Sequence, residues 1–283
     1  MTDWNCGCVI TAGAGRLDNL RRTLALADKT SASEIVVVLD GKDAWPFANE
    51  LSWSRAMFVF SEKHRPGMEQ PRNLGARALP RETAQVWFLD SDLVFDTGIV
   101  DLYAIAYSYA EPRVLIGPYD WMAQGETELD GRLEMPDPRW PSFRQHEPEE
   151  VVRDDLSAGL ACFGGNLVWP RDQFERIGGF HPRLSHGRVE DGELGLRAVA
   201  HGVPMSFVSA CRAAHVWHPR DMQWILGTNT REVPIVNELH PWLAGRGIYP
   251  VEKDGVRFDF ECPECHESVN TGEYWLHMES HAG

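Results

Sequence analysis

The stretch Val86-Trp87-Phe88-Leu89-Asp90-Ser91-Asp92 decides how the rest of the chain is read. Apolar residues, aromatic and branched, run without interruption into two carboxylates one residue apart. A run this short and continuous is the pattern of a strand covered on both faces, as parallel sheets require. The Asp-Ser-Asp then stands at the strand's C-terminal edge, where open α/β sheets hold their ligands. Two readings of the pair are open. Hard oxygen donors at a rim suit Mg²⁺ or Mn²⁺ that still carries phosphate oxygens, whereas Asp and Ser also favour turns and caps that bind nothing.

Working outward, the same pattern recurs on the N-terminal side. Cys8-Val9-Ile10-Thr11-Ala12 ends a first strand, Gly13-Ala14-Gly15 supplies a turn, and Leu17, Leu20 and Leu24 are spaced as on a helix packed against a sheet. Gly13-x-Gly15 lacks both the third glycine of the dinucleotide fingerprint and the lysine of a phosphate loop. Glu34-Ile35-Val36-Val37-Val38-Leu39-Asp40 is a second strand ending in a carboxylate, either a grip for ribose or base or a cap before Gly41. Met57 to Phe60 forms a third. Residues 61–82 then gather Lys63, His64, Arg65, Arg72, Arg77 and Arg81, with a helix predicted from Pro71 to Leu79. Such cations suit a diphosphate through charge-assisted forks, and they equally suit a solvated face.

On the C-terminal side, a helix from Ile99 to Tyr107 and a strand at Val114 to Gly117 precede an acidic excursion. Residues 125–155 hold ten Asp or Glu against four Arg, long enough for a mobile or acceptor-facing loop or for a disordered one. Strand character resumes around Gly164-Gly165-Asn166-Leu167-Val168-Trp169. Glu190, Asp191 and Glu193 then open a helix, where acidic groups are ordinary stabilisers or where one carboxylate serves as general base. Val203 to Val208 is the last strand of this unit, and either His215 or His218 can complete a metal site begun by Asp90 and Asp92.

The chain of 283 residues carries a formal charge of −15, which opposes a nucleic-acid partner because a phosphate-binding surface needs a basic patch. No stretch approaches the roughly 20 apolar residues of a transmembrane span, and no signal peptide is legible at the N-terminus. The six cysteines make no disulfide framework. The expectation is a reduced, cytoplasmic protein.

The tail reads as a separate unit. Cys262-x₂-Cys265, eleven residues, then His277-x₃-His281 is the spacing of four ligands around a tetrahedral Zn²⁺. Phe258 or Phe260, Tyr274 and Leu276 offer a miniature core that needs the metal to fold. Residues 251–283 hold eight acidic residues and two basic ones, which turns this ββα-like unit away from DNA and toward bracing, dimerisation or a protein acceptor. The domains expected are therefore 1–225, a linker or extension over 226–255, and the zinc unit at 256–283.

With these blocks in place, residues 6–220 resemble nucleotide-sugar glycosyltransferases of the GT-A fold, close to family 2. The resemblance rests on Phe88-Leu89-Asp90-Ser91-Asp92, on Arg72-Asn73-x-Gly75, on the block from Gly164 to Phe180, and on Val189 to Leu194 with Arg197. It implies an α/β fold with a mixed, mainly parallel sheet flanked by helices. It further implies that Asp40 contacts the donor nucleotide, that Asp90 and Asp92 form the Asp-x-Asp metal motif holding Mn²⁺ or Mg²⁺, and that Lys63 and Arg72 neutralise the leaving diphosphate. Asp191, with Glu190 beside it, matches the acceptor-deprotonating carboxylate of inverting members. His215-Val216-Trp217 resembles the His-x-aromatic segment of polypeptide N-acetylgalactosaminyltransferases, where the histidine is a third metal ligand and configuration is retained. The activity implied is sugar transfer from a UDP- or GDP-type donor to a carbohydrate, small-molecule or protein hydroxyl. The alternatives are a nucleotidyltransferase that makes a nucleotide sugar and a non-catalytic zinc-finger interaction protein.

Overall fold

The computed structural model describes residues 4–62, 71–146, 150–153, 155–184, 189–219 and 222–243, together with four short strands between 251 and 270. The strands are β1 (Cys6–Gly13), β2 (Ile35–Asp40), β3 (Met57–Ser61), β4 (Gln85–Asp90), β5 (Leu93–Phe95), β6 (Val114–Ile116), β7 (Tyr119–Met122), β8 (Leu133–Met135), β9 (Asn166–Pro170), β10 (Met205–Phe207) and β11 (Ala213–His215). The helices are α1 (Leu17–Ala27), α2 (Phe47–Glu50), α3 (Pro71–Ala78), α4 (Ile99–Ser108), α5 (Trp140–Gln145), α6 (Leu156–Leu160), α7 (Arg171–Arg176), α8 (Val189–Ala200) and α9 (Met222–Leu239).

The main sheet has the order β10-β6-β9-β4-β1-β2-β3. β4, β1, β2 and β3 run parallel, while β9 enters antiparallel between β4 and β6. This is a mixed α/β architecture, broadly GT-A-like, and its continuous apolar runs are two-sided for a visible reason. Cys8, Ile10, Val37, Leu39, Trp87 and Leu89 face a core shared with α1 and α4, whereas Val9, Val36, Val38, Val86 and Phe88 face one shared with α3, α7 and α8. Alternation along the central strands β1, β2 and β4 fills both layers, so their interior positions are apolar until the edge is approached.

The register aligns those edges. Thr11 pairs with Asp90 across β1 and β4, and Gly13 pairs with Asp40 across β1 and β2. Strand order reverses direction between β1 and β4, and a crevice opens at such a point. α3 lies close over β1 and β2 because Gly75 lacks a side chain: a methyl there would sit 2.3 Å from Val9 Cγ1. That contact fixes Arg72, one helical turn earlier, at the rim.

A second sheet, β5-β11-β7-β8, stands beside the same rim. It absorbs part of the acidic excursion. Asp137 accepts hydrogen bonds from the Tyr119 amide and the Arg139 guanidinium, and Asp120 accepts from the Asp137 amide and the Trp140 indole. Arg139 also donates to the Gly117 carbonyl. Residues 132–146, expected to belong to a mobile or acceptor-facing loop, are therefore fastened through buried ion pairs and two short elements.

α9 runs through position 225, where the sequence suggests a boundary, and buries Val233 and Val236 against Leu184, Val189 and Leu196. The four tail strands form two antiparallel hairpins, of which β14 (Asp259–Glu261) and β15 (Ser268–Asn270), following β12 (Val251–Glu252) and β13 (Gly255–Val256), pair Phe260 with Val269. Cys262, Cys265, His277 and His281 lie outside the described residues, as does Lys63. Among the described residues, no helix is long and apolar enough to cross a membrane.

Candidate active site

Two polar clusters meet at the rim between β1 and β4. The first is centred on Asp92, just past the turn that ends β4. β11 pairs with β5 so that His215 stands opposite Leu93, and the Val216 amide donates to the Asp92 carbonyl at 2.8 Å. The backbone thus delivers His215 Nε2 to 3.4 Å from Asp92 Oδ2, and the extended residues that follow deliver His218 Nε2 to 3.2 Å from the same oxygen. One ligand atom from each of Asp92, His215 and His218 lies within 4.8 Å of the others, forming a candidate metal-coordinating site.

The surroundings fit a cation. His218 Nδ1 lies 2.9 Å from the Pro219 carbonyl, which can only accept, so a neutral His218 that keeps its proton on Nδ1 would offer the Nε2 lone pair to an ion in the cluster. Asp92 Oδ1 is buried and without a hydrogen-bond partner, and the Thr11 hydroxyl at the same rim is likewise unpartnered. Burial works to raise the Asp92 pKa, but His215, His218 and Arg16 outweigh it and hold the carboxyl far below its ordinary range. Two imidazole nitrogens and one carboxylate oxygen are a donor set for first-row transition ions such as Mn²⁺ more than for Mg²⁺, which favours oxygen.

The second cluster is centred on Arg72, whose side chain is only 6% exposed. It donates to Asp90 Oδ1 at 2.8 Å, to Asp191 Oδ1 at 3.1 Å and to Glu190 Oε1 at 3.4 Å, with its guanidinium over the Phe180 ring. Burial opposes the Arg72 charge, yet Asp191, Asp90 and Glu190 more than offset it and raise the pKa. For Asp191 the balance tips the other way. Burial raises its pKa, and Arg72 with the Gly164 amide only partly offsets that, because one cation is divided among three carboxylates.

Asp90, read from the sequence as a metal ligand beside Asp92, is turned toward Arg72 and the Tyr119 hydroxyl, which donates to its Oδ2 at 3.1 Å. Successive side chains diverge where the strand bends into its turn, so the two aspartates serve different clusters. Asp40 ends β2 half-buried and accepts from the Ser61 hydroxyl at 2.8 Å. Among the tryptophans around the rim, Trp121 packs against Tyr119 and Trp217 is half-buried next to His218, whereas Trp169 is fully buried in the core.

Three contributors are absent from the site residues read from the sequence, although Gly13 to Arg16 and the block from Gly164 are stretches singled out there. Arg16 reaches Asp92 from the β1–α1 turn, Tyr119 orients Asp90 from the second sheet, and the Gly164-Gly165 pair makes room for everything else. A methyl on Gly164 would lie 2.4 Å from Asp191 Oδ1, and one on Gly165 would lie 2.1 Å from the Tyr119 ring. The glycines are visible as a turn, but their closeness to carboxylates depends on the reversed direction of β9.

No protein-family model matches the chain, and no curated protein sequence does. Solved structures do. A crystal structure of S. aureus TarS 1–349 in complex with UDP-GlcNAc aligns with a TM-score of 0.62 at 14% identity, over 88% of this chain and 68% of that one. One of GalNAc-T7 with UDP, GalNAc and Mn²⁺ aligns with a TM-score of 0.58 at 18% identity, over 83% of this chain and 48% of that one. Another of S. aureus TarS gives 0.55 at 14% identity, over 88% and 46%. At these identities the likeness concerns the fold, and the fold is glycosyltransferase-like.

Proposed function

We propose that this chain transfers a sugar from a nucleoside diphosphate donor to an acceptor hydroxyl, with a divalent transition ion held by Asp92, His215 and His218. The observation that carries the reading is that triad, with Asp92 Oδ1 buried and unpartnered, standing at the strand reversal beside the Arg72–Asp191 cluster. The TarS complex with UDP-GlcNAc and the GalNAc-T7 complex with UDP and Mn²⁺ support it from the side of the fold. When bound, the ion would offset negative charge on the departing diphosphate.

The chain's own residues supply the rest. Asp40, at the end of β2, contacts the donor's base or ribose. Glu190 and Asp90 hold Arg72, and Arg72 with the Gly164 amide holds Asp191. In a transfer with inversion, the acceptor oxygen bonds to the anomeric carbon while the bond from that carbon to the diphosphate oxygen breaks. The acceptor proton passes to Asp191, and the nucleoside diphosphate leaves with the electron pair. A base whose pKa is raised by burial is suited to that step near neutral pH.

Thermal unfolding with a panel of UDP- and GDP-sugars, with and without Mn²⁺, tests the proposal. Metal-dependent stabilisation by one donor is expected. Silence across the whole panel would remove the transferase reading, and pyrophosphate release from a nucleoside triphosphate plus a sugar 1-phosphate would replace it with a nucleotidyltransferase. The anomeric configuration of the product assigns inversion or retention.

The tail is proposed to hold a separate Zn²⁺ through Cys262, Cys265, His277 and His281. The pairing of β14 with β15 supports this, since the Cys-x₂-Cys pair falls in the segment joining them. Elemental analysis of purified protein should show one zinc that is lost on the double substitution Cys262→Ser, Cys265→Ser and kept on Asp92→Ala.

A further inference from the structure

Arg72 is, with Lys63, one of the two cations that the sequence offers to the donor's diphosphate, and the structure leaves it poorly placed for that contact. Its guanidinium is buried and committed to Asp90, Glu190 and Asp191, and the three carboxylates around it outnumber its charge. A diphosphate approaching that cluster would meet an excess of negative charge. A side-chain cation that acts on the diphosphate beside the ion of the triad is therefore to be sought elsewhere than at Arg72.

Arg16 is in that position. It is the residue before α1, on the turn that leaves β1 at Gly13, directly beside the crevice between β1 and β4. Its Nη1 lies 3.5 Å from Asp92 Oδ2, an ion pair too long for a good hydrogen bond, and its side chain remains 33% exposed. The turn is open on its outer side. Gly15 has φ +79°, and a methyl built on it would meet no atom within 4 Å. Asp92 Oδ2 is therefore shared by Arg16, His215 and His218, while Oδ1 has no partner at all.

A divalent ion in the triad would take over the Asp92 carboxylate and leave Arg16 facing a site of net positive charge. A guanidinium is favoured beside such a site when a further anion stands between them. We infer that Arg16 is the diphosphate-contacting residue of this chain: it covers Asp92 while the triad holds no metal, and it turns to a phosphate oxygen of the nucleoside diphosphate once metal and nucleotide are bound. The inference rests on the transferase reading above and adds a residue and a coupling to it. Metal and Arg16 compete for one carboxylate, whereas metal and Arg16 cooperate in holding the diphosphate. Removing the side chain must therefore change the two affinities in opposite directions, which a merely structural arginine would not do.

The test is isothermal titration calorimetry of the full chain and of Arg16→Gln, with Arg16→Lys as a second variant, using Mn²⁺ alone and then UDP and GDP at saturating Mn²⁺. For Arg16→Gln, Mn²⁺ alone is expected to bind about two- to fivefold more tightly, the scale of a partly exposed ion pair. The nucleoside diphosphate that the parent chain binds is expected to bind at least about tenfold more weakly, the scale of a lost charge-assisted hydrogen bond. Arg16→Lys should recover part of the nucleotide affinity, because it keeps the charge and loses the fork. If the parent chain binds Mn²⁺ and a nucleoside diphosphate while Arg16→Gln keeps that nucleotide affinity within twofold, the assignment of Arg16 is overturned and the transferase reading stands. A fall in both affinities together would also overturn it. If the parent chain binds neither UDP nor GDP with Mn²⁺, both readings fall.

Discussion

Replacing Arg72 with Met removes a buried cation and keeps its aliphatic stem over Phe180. The structure sets the size of the penalty. Asp191 and Glu190 are left with side-chain exposures of 12% and 3%, whereas Asp90, at 27%, retains access to water and the Tyr119 hydroxyl. Breaking a buried ion pair from one side costs about 3–5 kcal/mol. The Asp90 contact, discounted for solvent, adds at most about 1 kcal/mol. A loss of about 3–6 kcal/mol is therefore expected, equivalent to a fall of roughly 6–24 °C in Tm at about 2–4 °C per kcal/mol.

The loss should also depend on pH in a defined direction. Burial already raises the Asp191 pKa against the pull of Arg72. Without that pull it rises further, so the variant takes up a proton at a higher pH than the parent and recovers stability as pH falls. Urea unfolding of both proteins at about pH 7.5 and about pH 5 measures this. The deficit should narrow at the lower pH, and adding Asp191→Asn to Arg72→Met should restore part of it by a non-additive term. A deficit below about 1 kcal/mol, or one identical at both pH values, would refute the claim that Arg72 neutralises a buried acidic cluster.

Three further outcomes are expected. Asp191→Asn should abolish transfer, spare donor binding and melt higher than the parent at neutral pH. A raised folded-state pKa makes the group's stability contribution present below its unfolded pKa and lost as pH rises, so the gain over the parent should vanish in acid, as differential scanning calorimetry can show. Gly164→Ala forces a methyl to 2.4 Å from Asp191 Oδ1 and should lower kcat about 100-fold with a smaller change in donor KM, read from initial rates. Glu193, fully buried, accepts from Arg197 and pairs with His240 at 2.8 Å, so Glu193→Gln should cost about 2 kcal/mol at neutral pH. Burial opposes the Glu193 charge, but His240 and Arg197 outweigh it and lower the pKa, so this difference should disappear as pH falls through the carboxylate range.

The frame of the sheet was legible because continuous apolar runs that stop at Asp40 and Asp90 suit strands covered on both faces and suit little else. The Asp191 helix was legible from the acidic residues that open it, since such groups stabilise a helix N-terminus. What could not be read was pairing at a distance. His218 reaches Asp92 only because β11 lies against β5, and nothing in His215-Val216-Trp217-His218 states that register. Arg72 read as a cation for a diphosphate or for solvent because its helix is locally basic, and only the packing of Gly75 onto Val9 buries it among acids, two of which lie more than a hundred residues later in the chain. Asp137 and Arg139 sit in an acidic, proline-bearing stretch whose composition resembles a free loop. Their order comes from Tyr119 and Asp120, partners in the second sheet that no periodicity in the stretch reveals.

The antiparallel entry of β9 has a consequence for how the protein can vary. The chain leaves the sheet at the end of β6 and returns to it at the start of β9, and because β9 is reversed both points open on one side. The stretch between residues 117 and 165 thus starts and finishes on one border, although on the way Val152 bridges to Met205 and Ala158, Ala161 and Cys162 pack into the core. Within it, the largely exposed turn over residues 124–131 can be lengthened, shortened or exchanged without rethreading the layers beneath. Selection can rewrite what this border greets while leaving the Asp90, Asp92 and Asp191 carboxylates where they are.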